Sequence, residues 1–203
     1  MSARYAVIVL AGGLSTRMKK FKPLLPLGES NVINHVIDTF NKAGADVFAV
    51  AGYRHDEIVA AVTNPAVTVV YNPDYEKGMF SSIQAGVGAL PPGYRGFFVI
   101  PVDIPLVRPA TIRRLMDAAG KNPDRIIYPG FGGKRGHPPL IPIELAPEIV
   151  GWNKNGTLKA VLASKEDLAL EVPVEDSFIL FDIDTLEDYQ ELLKQFRQVS
   201  GSP

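Results

Sequence analysis

The sequence predicts an α/β fold with a mainly parallel sheet. Two observations lead there. Apolar runs of strand length alternate along the chain with segments of helical periodicity. The unusual polar and glycine-rich stretches then fall just after those runs, at the strand ends where open α/β sheets bind ligands.

Taken in order, residues 5–11 form a short buried first strand. A loop from Leu10 to Lys22 follows and packs two glycines, two hydroxyls and four cations into thirteen residues. From Asn31 to Ala43, residues Val32, Ile33, Val36, Ile37 and Phe40 recur at helical spacing, and Gly44 ends the helix. Asp46–Ala51 reads as a strand, Arg54–Val62 as a short helix and Val67–Tyr71 as a third strand. Asn72–Gly78 is turn-rich, and Met79–Leu90 opens a helix with Ser81 and Ser82 near its start. Gly96–Pro101 is a fourth strand that ends at Asp103, and Pro109 suits the first turn of a helix running to Ala119. Arg125–Tyr128 is a strand leading into a second glycine-rich basic loop, Gly130–Gly136. Pro139–Pro142 reads as an edge strand because of its prolines. Residues 143–150 and 157–163 read as short helices, and 168–172 and 178–181 as late strands, the second leading to Asp182 and Asp184. Thr185 caps a final helix, with Asp188 three residues on and Leu186, Tyr189, Leu192, Leu193 and Phe196 as its apolar stripe. There is no internal repeat and no linker, so residues 1–203 are expected to form one domain.

Composition narrows the function. Hydrophobic residues make up 46% of the 203 and charged residues 21%, which supports a sizeable core. A net charge of -1 gives no global electrostatic case for nucleic acid or an anionic membrane. Cysteine is absent, which removes disulfides, thiolate metal sites and cysteine nucleophiles. His35, His55 and His137 are scattered, against a histidine-rich metal site. No apolar run approaches membrane-spanning length, and the start reads as no signal peptide, so a cytoplasmic location is expected.

The first loop carries the first chemical hint. Gly12 and Gly13 let backbone N–H groups approach an anion, and Arg17 and Lys22 supply charge for phosphate oxygens. The plainer alternative is a glycine turn followed by solvated cations. Four such groups collected at strand ends favour the ligand reading: this loop, Asp103, the glycine-histidine loop and Asp184. Asp103, flanked by prolines in Ile100–Leu106, suits a Mg²⁺ ligand, since magnesium takes one or two carboxylates with waters and substrate phosphates. Its alternative, a cap for the helix at Pro109, is a poor one at six residues of separation. Asp182 and Asp184 alternate in an extended segment and so point the same way, and either could be the second ligand. Each also has a plainer role, a loop hydrogen bond for Asp182 and a helix-start contribution for Asp184. After the first strand there is neither Gly-x-Gly-x-x-Gly nor a P-loop, which argues against a plain dinucleotide-binding domain or a P-loop kinase.

Five segments in order resemble the MobA/MocA-type nucleotidyltransferases that complete molybdenum cofactor, and more closely the MocA branch. They are Leu10–Met18 with Lys22, Gly78–Gly86, Pro101–Pro105, Gly136–Pro138 and Asp182–Asp188, so the resemblance covers nearly the whole chain. It implies a Rossmann-like three-layer nucleotidyltransferase fold. It further implies that Leu10, Ala11, Gly12, Gly13 and Ser15 meet the nucleotide, that Arg17 and Lys22 hold the triphosphate, and that Asp103 and Asp184 bind Mg²⁺. Gly78, Ser81 and Ser82 would line the nucleotide pocket. Gly136, His137 and Pro138, with Asp182, would face a pterin phosphate acceptor, and a molybdoenzyme is the partner class implied for the product. For His137 the plainer alternative is that it satisfies a backbone carbonyl.

Three departures from the family pattern stand out. Lys19 stands where glycine is usual, and Leu186 where proline is usual. Leu10-Ala-Gly-Gly is similar to the guanylyltransferase branch, whereas the Gly-Met-x-Ser-Ser and Gly-His-Pro segments resemble the cytidylyltransferase branch. The expected donor is therefore CTP or GTP. Transfer to a sugar phosphate, and a non-catalytic module that holds the cofactor for delivery, are the alternative functions.

Overall fold

A computed structural model describes residues 3–13, 18, 20–153 and 156–200. Strand β1 (Arg4–Leu10) is buried from Tyr5 onward, and its alternating side chains feed two cores. Val7 and Val9 enter one cluster, and Ala6, Ile8 and Leu10 enter the other. A strand that is apolar on both faces needs helices on both sides.

The chain supplies them in alternation. After β1 come β2 (Pro26–Leu27), β3 (Ser30–Asn31), α1 (Val32–Ala43), β4 (Asp46–Ala51), α2 (His55–Ala61) and β5 (Thr68–Tyr71). Next are α3 (Met79–Gly88), β6 (Tyr94–Pro101), α4 (Pro109–Lys121), β7 (Ile126–Phe131), β8 (Lys134–Arg135) and β9 (Leu140–Pro142). The chain closes with α5 (Ala146–Gly151), α6 (Leu158–Ala163), β10 (Ala169–Pro173) and α7 (Leu186–Ser200). The main sheet runs β10-β7-β9-β6-β1-β4-β5, with β8 paired to β7. Strands β6, β4 and β5 extend from β1 in parallel, and β10 is parallel to β7. Helices α1, α2, α4 and α7 bury Ile33, Ile58, Leu115 and Leu192 in one core. Helices α3, α5 and α6 bury Ile83, Ile149 and Leu162 in the other. The result is the expected Rossmann-like three-layer α/β arrangement. Helix α3 reaches the sheet closely at Gly86, where a Cβ would lie 2.4 Å from the Ile8 side chain. Among the described residues, no helix is long and apolar enough to cross a membrane.

Local sequence accounts for several boundaries. Asn31 caps α1 by accepting from the Asn34 N–H, and Gly44 closes it in a left-handed conformation. Thr157 caps α6 in the same way as Asn31. The expected helix over 143–150 divides into a 3₁₀ turn, Ile143–Leu145, and α5.

Two expectations are corrected. Residues 139–142 are not an edge strand: β9 lies between β6 and β7, antiparallel to both. Its prolines do not prevent this, because the strand is only three residues long, Pro142 ends it and Pro139 precedes it. Residues 178–181 are not a strand either. Ser177–Leu180 is a 3₁₀ turn, closed by the Phe181 N–H donating to Phe178 O at 3.2 Å, an i→i+3 bond that an extended strand cannot make.

Asp176 makes that turn. Its carboxylate is buried and accepts from the Phe178 N–H at 3.2 Å, the Arg108 N–H at 2.9 Å and the Thr111 hydroxyl at 2.6 Å. One side chain thus fastens the 177–180 turn to the first turn of α4. Truncating Asp176 to Ala would leave these donors unanswered. We expect Asp176→Ala to cost about 2–4 kcal/mol in denaturant unfolding, and Thr111→Val, which removes one donor, to cost less.

Candidate active site

Strand β1 has β4 on one side and β6 on the other, so a crevice opens beyond the carboxyl ends of β1 and β6, where the strand order reverses. The backbone rims it tightly. The Ala11 N–H donates to Val50 O at 2.9 Å, and the Val102 N–H to Leu10 O at 3.1 Å. A Cβ on Gly12 would sit 2.7 Å from the backbone nitrogen of Gly52, so this glycine answers a protein contact. A Cβ on Gly13 would meet nothing within 4 Å, and that residue opens into the crevice. The pocket there measures about 370 Å³ and is lined by residues that include Leu10, Gly13, Lys22, Tyr75, Ser82 and Asp103.

Lys22 opens a 3₁₀ turn, Lys22–Leu24, and Pro23 fixes the chain beside it. Its ammonium donates to Asp103 Oδ2 at 2.9 Å and to Asp184 Oδ1 at 2.9 Å. The side chains of Lys22, Asp103 and Asp184 are 11%, 22% and 34% exposed. Burial works against the charge on Lys22, but the hydrogen bonds to Asp184 and Asp103 outweigh it and hold the pKa above the ordinary lysine value. Lys22 therefore stays charged at neutral pH.

The two carboxylates are fixed by different devices. Asp103 stands two residues beyond β6, and its carbonyl accepts the Ile183 N–H at 3.0 Å, which ties the Asp184 segment to it. Asp184 is held by the expected cap of α7. Asp188 accepts from the Asp184 N–H at 3.0 Å, the Thr185 N–H at 2.7 Å and the Thr185 hydroxyl at 2.8 Å, while the Asp188 N–H donates to Thr185 Oγ1 at 3.1 Å. The hydroxyl bond, then the backbone bond, from Thr185 lead the causes that hold the Asp188 carboxyl below its ordinary pKa.

The wall opposite is the start of α3. Ser82 is buried and lines the pocket with Gly78. Ser81 turns to a structural task and donates towards Asp74 O and Gly78 O at 2.8 Å. Both hydroxyls accept from Asn72 Nδ2 at 2.9 Å. Sequence reading passed over Asn72 because an asparagine after a strand is an ordinary turn residue. Two serines facing it across one turn were the available signal.

A second, larger groove of about 770 Å³ continues from the pocket across Leu10, Gly78, Met79 and Pro101. Phe80, Ile83, Val99, Tyr128, Leu158 and Leu162 make it largely apolar. Gly136 and His137 line it, and Pro138, joined to His137 by a cis peptide, is buried beside them. The His137 N–H donates to Ile179 O at 2.8 Å, so the backbone of this residue, rather than its ring, satisfies a carbonyl. The ring faces the groove; surrounding protein atoms lower its pKa, and Asp103 and then Asp182 act in the opposite sense. Asp182 is exposed. Arg135 stacks on Tyr128 at 4.9 Å and pairs with Glu166 at 2.7 Å, a groove wall that the sequence did not single out. Trp152 packs against the α3 side of the core, where Gln84 Nε2 donates to Ile149, Val150 and Trp152 carbonyls at 3.1 Å.

The structure thus brings together Leu10, Ala11, Gly12, Gly13, Lys22, Gly78, Ser82, Asp103 and Asp184 in one pocket. It moves Ser81 out of the lining. Ser15 and Arg17 lie outside the described residues. The described residues contain no group of three or more His, Cys, Asp or Glu able to hold a metal ion. Removing the Asn72 amide would unfasten the α3 start. We expect Asn72→Ala to lower stability by about 1–3 kcal/mol in thermal or denaturant unfolding and to weaken nucleotide binding measured by calorimetry.

Comparison with known proteins agrees with this geometry. Residues 7–169 match the family model of the MobA-like NTP transferase domain. Molybdenum cofactor cytidylyltransferase from Escherichia coli (strain K12) is 25% identical over 193 residues, 95% of this chain and 97% of the relative. The crystal structure of Rv0371c from Mycobacterium tuberculosis H37Rv superposes with a TM-score of 0.84 at 27% identity, over 96% of this chain and 100% of that one. Molybdopterin-guanine dinucleotide biosynthesis protein A from Archaeoglobus fulgidus shares the fold, with a TM-score of 0.66 at 19% identity over 98% and 100% of the two chains. The chain belongs to the MobA-like NTP transferase domain family of nucleotidyltransferases.

Proposed function

We propose that this chain transfers a nucleotidyl group, CMP with GMP as the alternative, from an NTP to the phosphate of molybdopterin or molybdenum cofactor in the cytoplasm. The observation that carries the reading is the meeting of Lys22, Asp103 and Asp184 at the head of a crevice that continues into an apolar groove. The similarity to the E. coli cytidylyltransferase along 95% of the chain supports CTP as donor. The groove supports a flat heteroaromatic acceptor over a sugar phosphate. Its apolar lining suits a ring system, and Lys77, Arg135 and Lys159 at its walls suit anionic substituents.

Two carboxylates that already share one cation are a donor set that fits Mg²⁺, which needs few protein ligands when substrate phosphates complete its shell. Asp103 and Asp184 would hold the ion, which when bound would neutralise charge on the transferring group. In the reaction an acceptor phosphate oxygen attacks the α-phosphorus in line. A new P–O bond forms, the α–β bridging P–O bond breaks, and pyrophosphate leaves. The acceptor phosphate is anionic at neutral pH, so no strong general base is required. Gly13 backbone and Lys22 would bind the donor phosphates, with Arg17 assigned there from sequence. Rate then comes from positioning and charge complementarity.

Pyrophosphate release, measured with CTP, GTP, ATP and UTP with and without molybdopterin, tests this directly. We expect turnover only with Mg²⁺ and molybdopterin, and a loss of at least about a hundredfold in kcat for Asp103→Asn with its fold retained by circular dichroism. Turnover with a sugar phosphate and not with pterin would replace the acceptor. Absence of nucleotide binding in the presence of Mg²⁺ would favour the delivery module.

A further inference from the structure

Lys22 stands where the metal reading places a cation. Its ammonium bonds one oxygen of each carboxylate at the same distance, 2.9 Å, and is nearly enclosed by protein. The ammonium thus occupies carboxylate oxygens that a divalent ion would need. We propose that Lys22 is the resident counter-ion of the metal site. The ammonium and a divalent ion compete for Asp103 and Asp184, and nucleotide phosphate must draw Lys22 away before the ion binds tightly. This rests on the Mg²⁺ reading above and adds an order of events to it.

Three features support the exchange. Lysine is a compact ammonium on a flexible four-carbon stem, so it can change partners by rotation, which a rigid bidentate arginine fork resists. The destination is at hand, because Lys22 and Gly13 line the same pocket. The anchors stay in place during the exchange: Asp184 is fixed by the Thr185–Asp188 cap and the Asp103 backbone by its bond to Ile183. With Lys22 between them, the carboxylates present only a partial charge to an arriving ion. A triphosphate removes that obstacle and supplies its own oxygen ligands, so nucleotide and metal each strengthen the binding of the other.

The test is Mn²⁺ binding, followed by the electron paramagnetic resonance signal of the free ion, in the full chain without nucleotide and with a non-hydrolysable CTP analogue. For the unaltered protein we expect weak binding alone and at least about tenfold tighter binding with the analogue. Lys22→Met should bind Mn²⁺ alone at least about tenfold more tightly than the unaltered protein, gain little from the analogue, and show a larger Mn²⁺-induced rise in Tm. Lys22→Arg, which keeps the charge, should remain weak without nucleotide. If the Met variant does not fold, Lys22→Gln carries the same expectation. Nucleotide-free affinity in the neutral variant equal to or below that of the unaltered protein overturns the proposal. So does an Arg variant that binds as the neutral one does. If Asp103→Asn leaves Mn²⁺ affinity in the presence of the analogue unchanged, the metal reading itself fails, independently of Lys22.

Discussion

Three charges that lie far apart in the chain meet at one point, and most of the fold serves to bring them there. Lys22 is 81 residues from Asp103 and 162 from Asp184, yet its ammonium touches both. Contacts of such separation carry a large ordering cost, which the buried sheet and its two helical layers offset. Strand β1 delivers the chain towards Lys22, β6 delivers Asp103, and the capped start of α7 delivers Asp184. Partly buried ion pairs add little net stability, because desolvation cancels much of their attraction. A cluster of this kind is better understood as a charged site maintained by the fold than as a strut supporting it.

The supports around it are polar and specific. Asp176 answers three donors from two segments and fixes the 177–180 turn against α4. Asn72 holds both serines at the start of α3. Each is buried and satisfied, as a polar group inside a protein must be. The pocket and the groove share a boundary of backbone and apolar side chains at Leu10, Gly78, Met79 and Pro101, so a donor in one and an acceptor in the other would meet there. That continuity makes group transfer a natural use for the site.

Much of this was legible in the sequence, and the parts that were not share a cause. Strands β1, β4 and β6 announced themselves by apolar runs, and the helices by their spacing, because burial on both faces leaves a composition signal. Asp103 and Lys22 were visible because they come after such runs, and Asp184 because it follows the apolar residues 178–181, although these form a 3₁₀ turn. Residues 178–181 misled because an apolar run of four fits a strand or a turn equally well, and only the hydrogen bonds of Asp176 decide between them. The interior place of β9 depends on its two neighbours, which no local pattern encodes. The same holds for Gly12, whose reason is the backbone of Gly52, and for Ser81, whose hydroxyl serves its own loop. The direct bond from Lys22 to both carboxylates was also beyond reach, since sequence assigned the lysine to phosphate and the aspartates to metal without bringing them into contact.

The most direct measurement is a crystal structure of the protein with Mg²⁺ and a non-hydrolysable CTP analogue. The proposed chemistry predicts the triphosphate in the crevice beyond β1 and β6, Lys22 turned onto its oxygens, and Mg²⁺ on Asp103 and Asp184. A nucleotide seated elsewhere, or Lys22 still bridging both aspartates with the ion bound at another place, would contradict it.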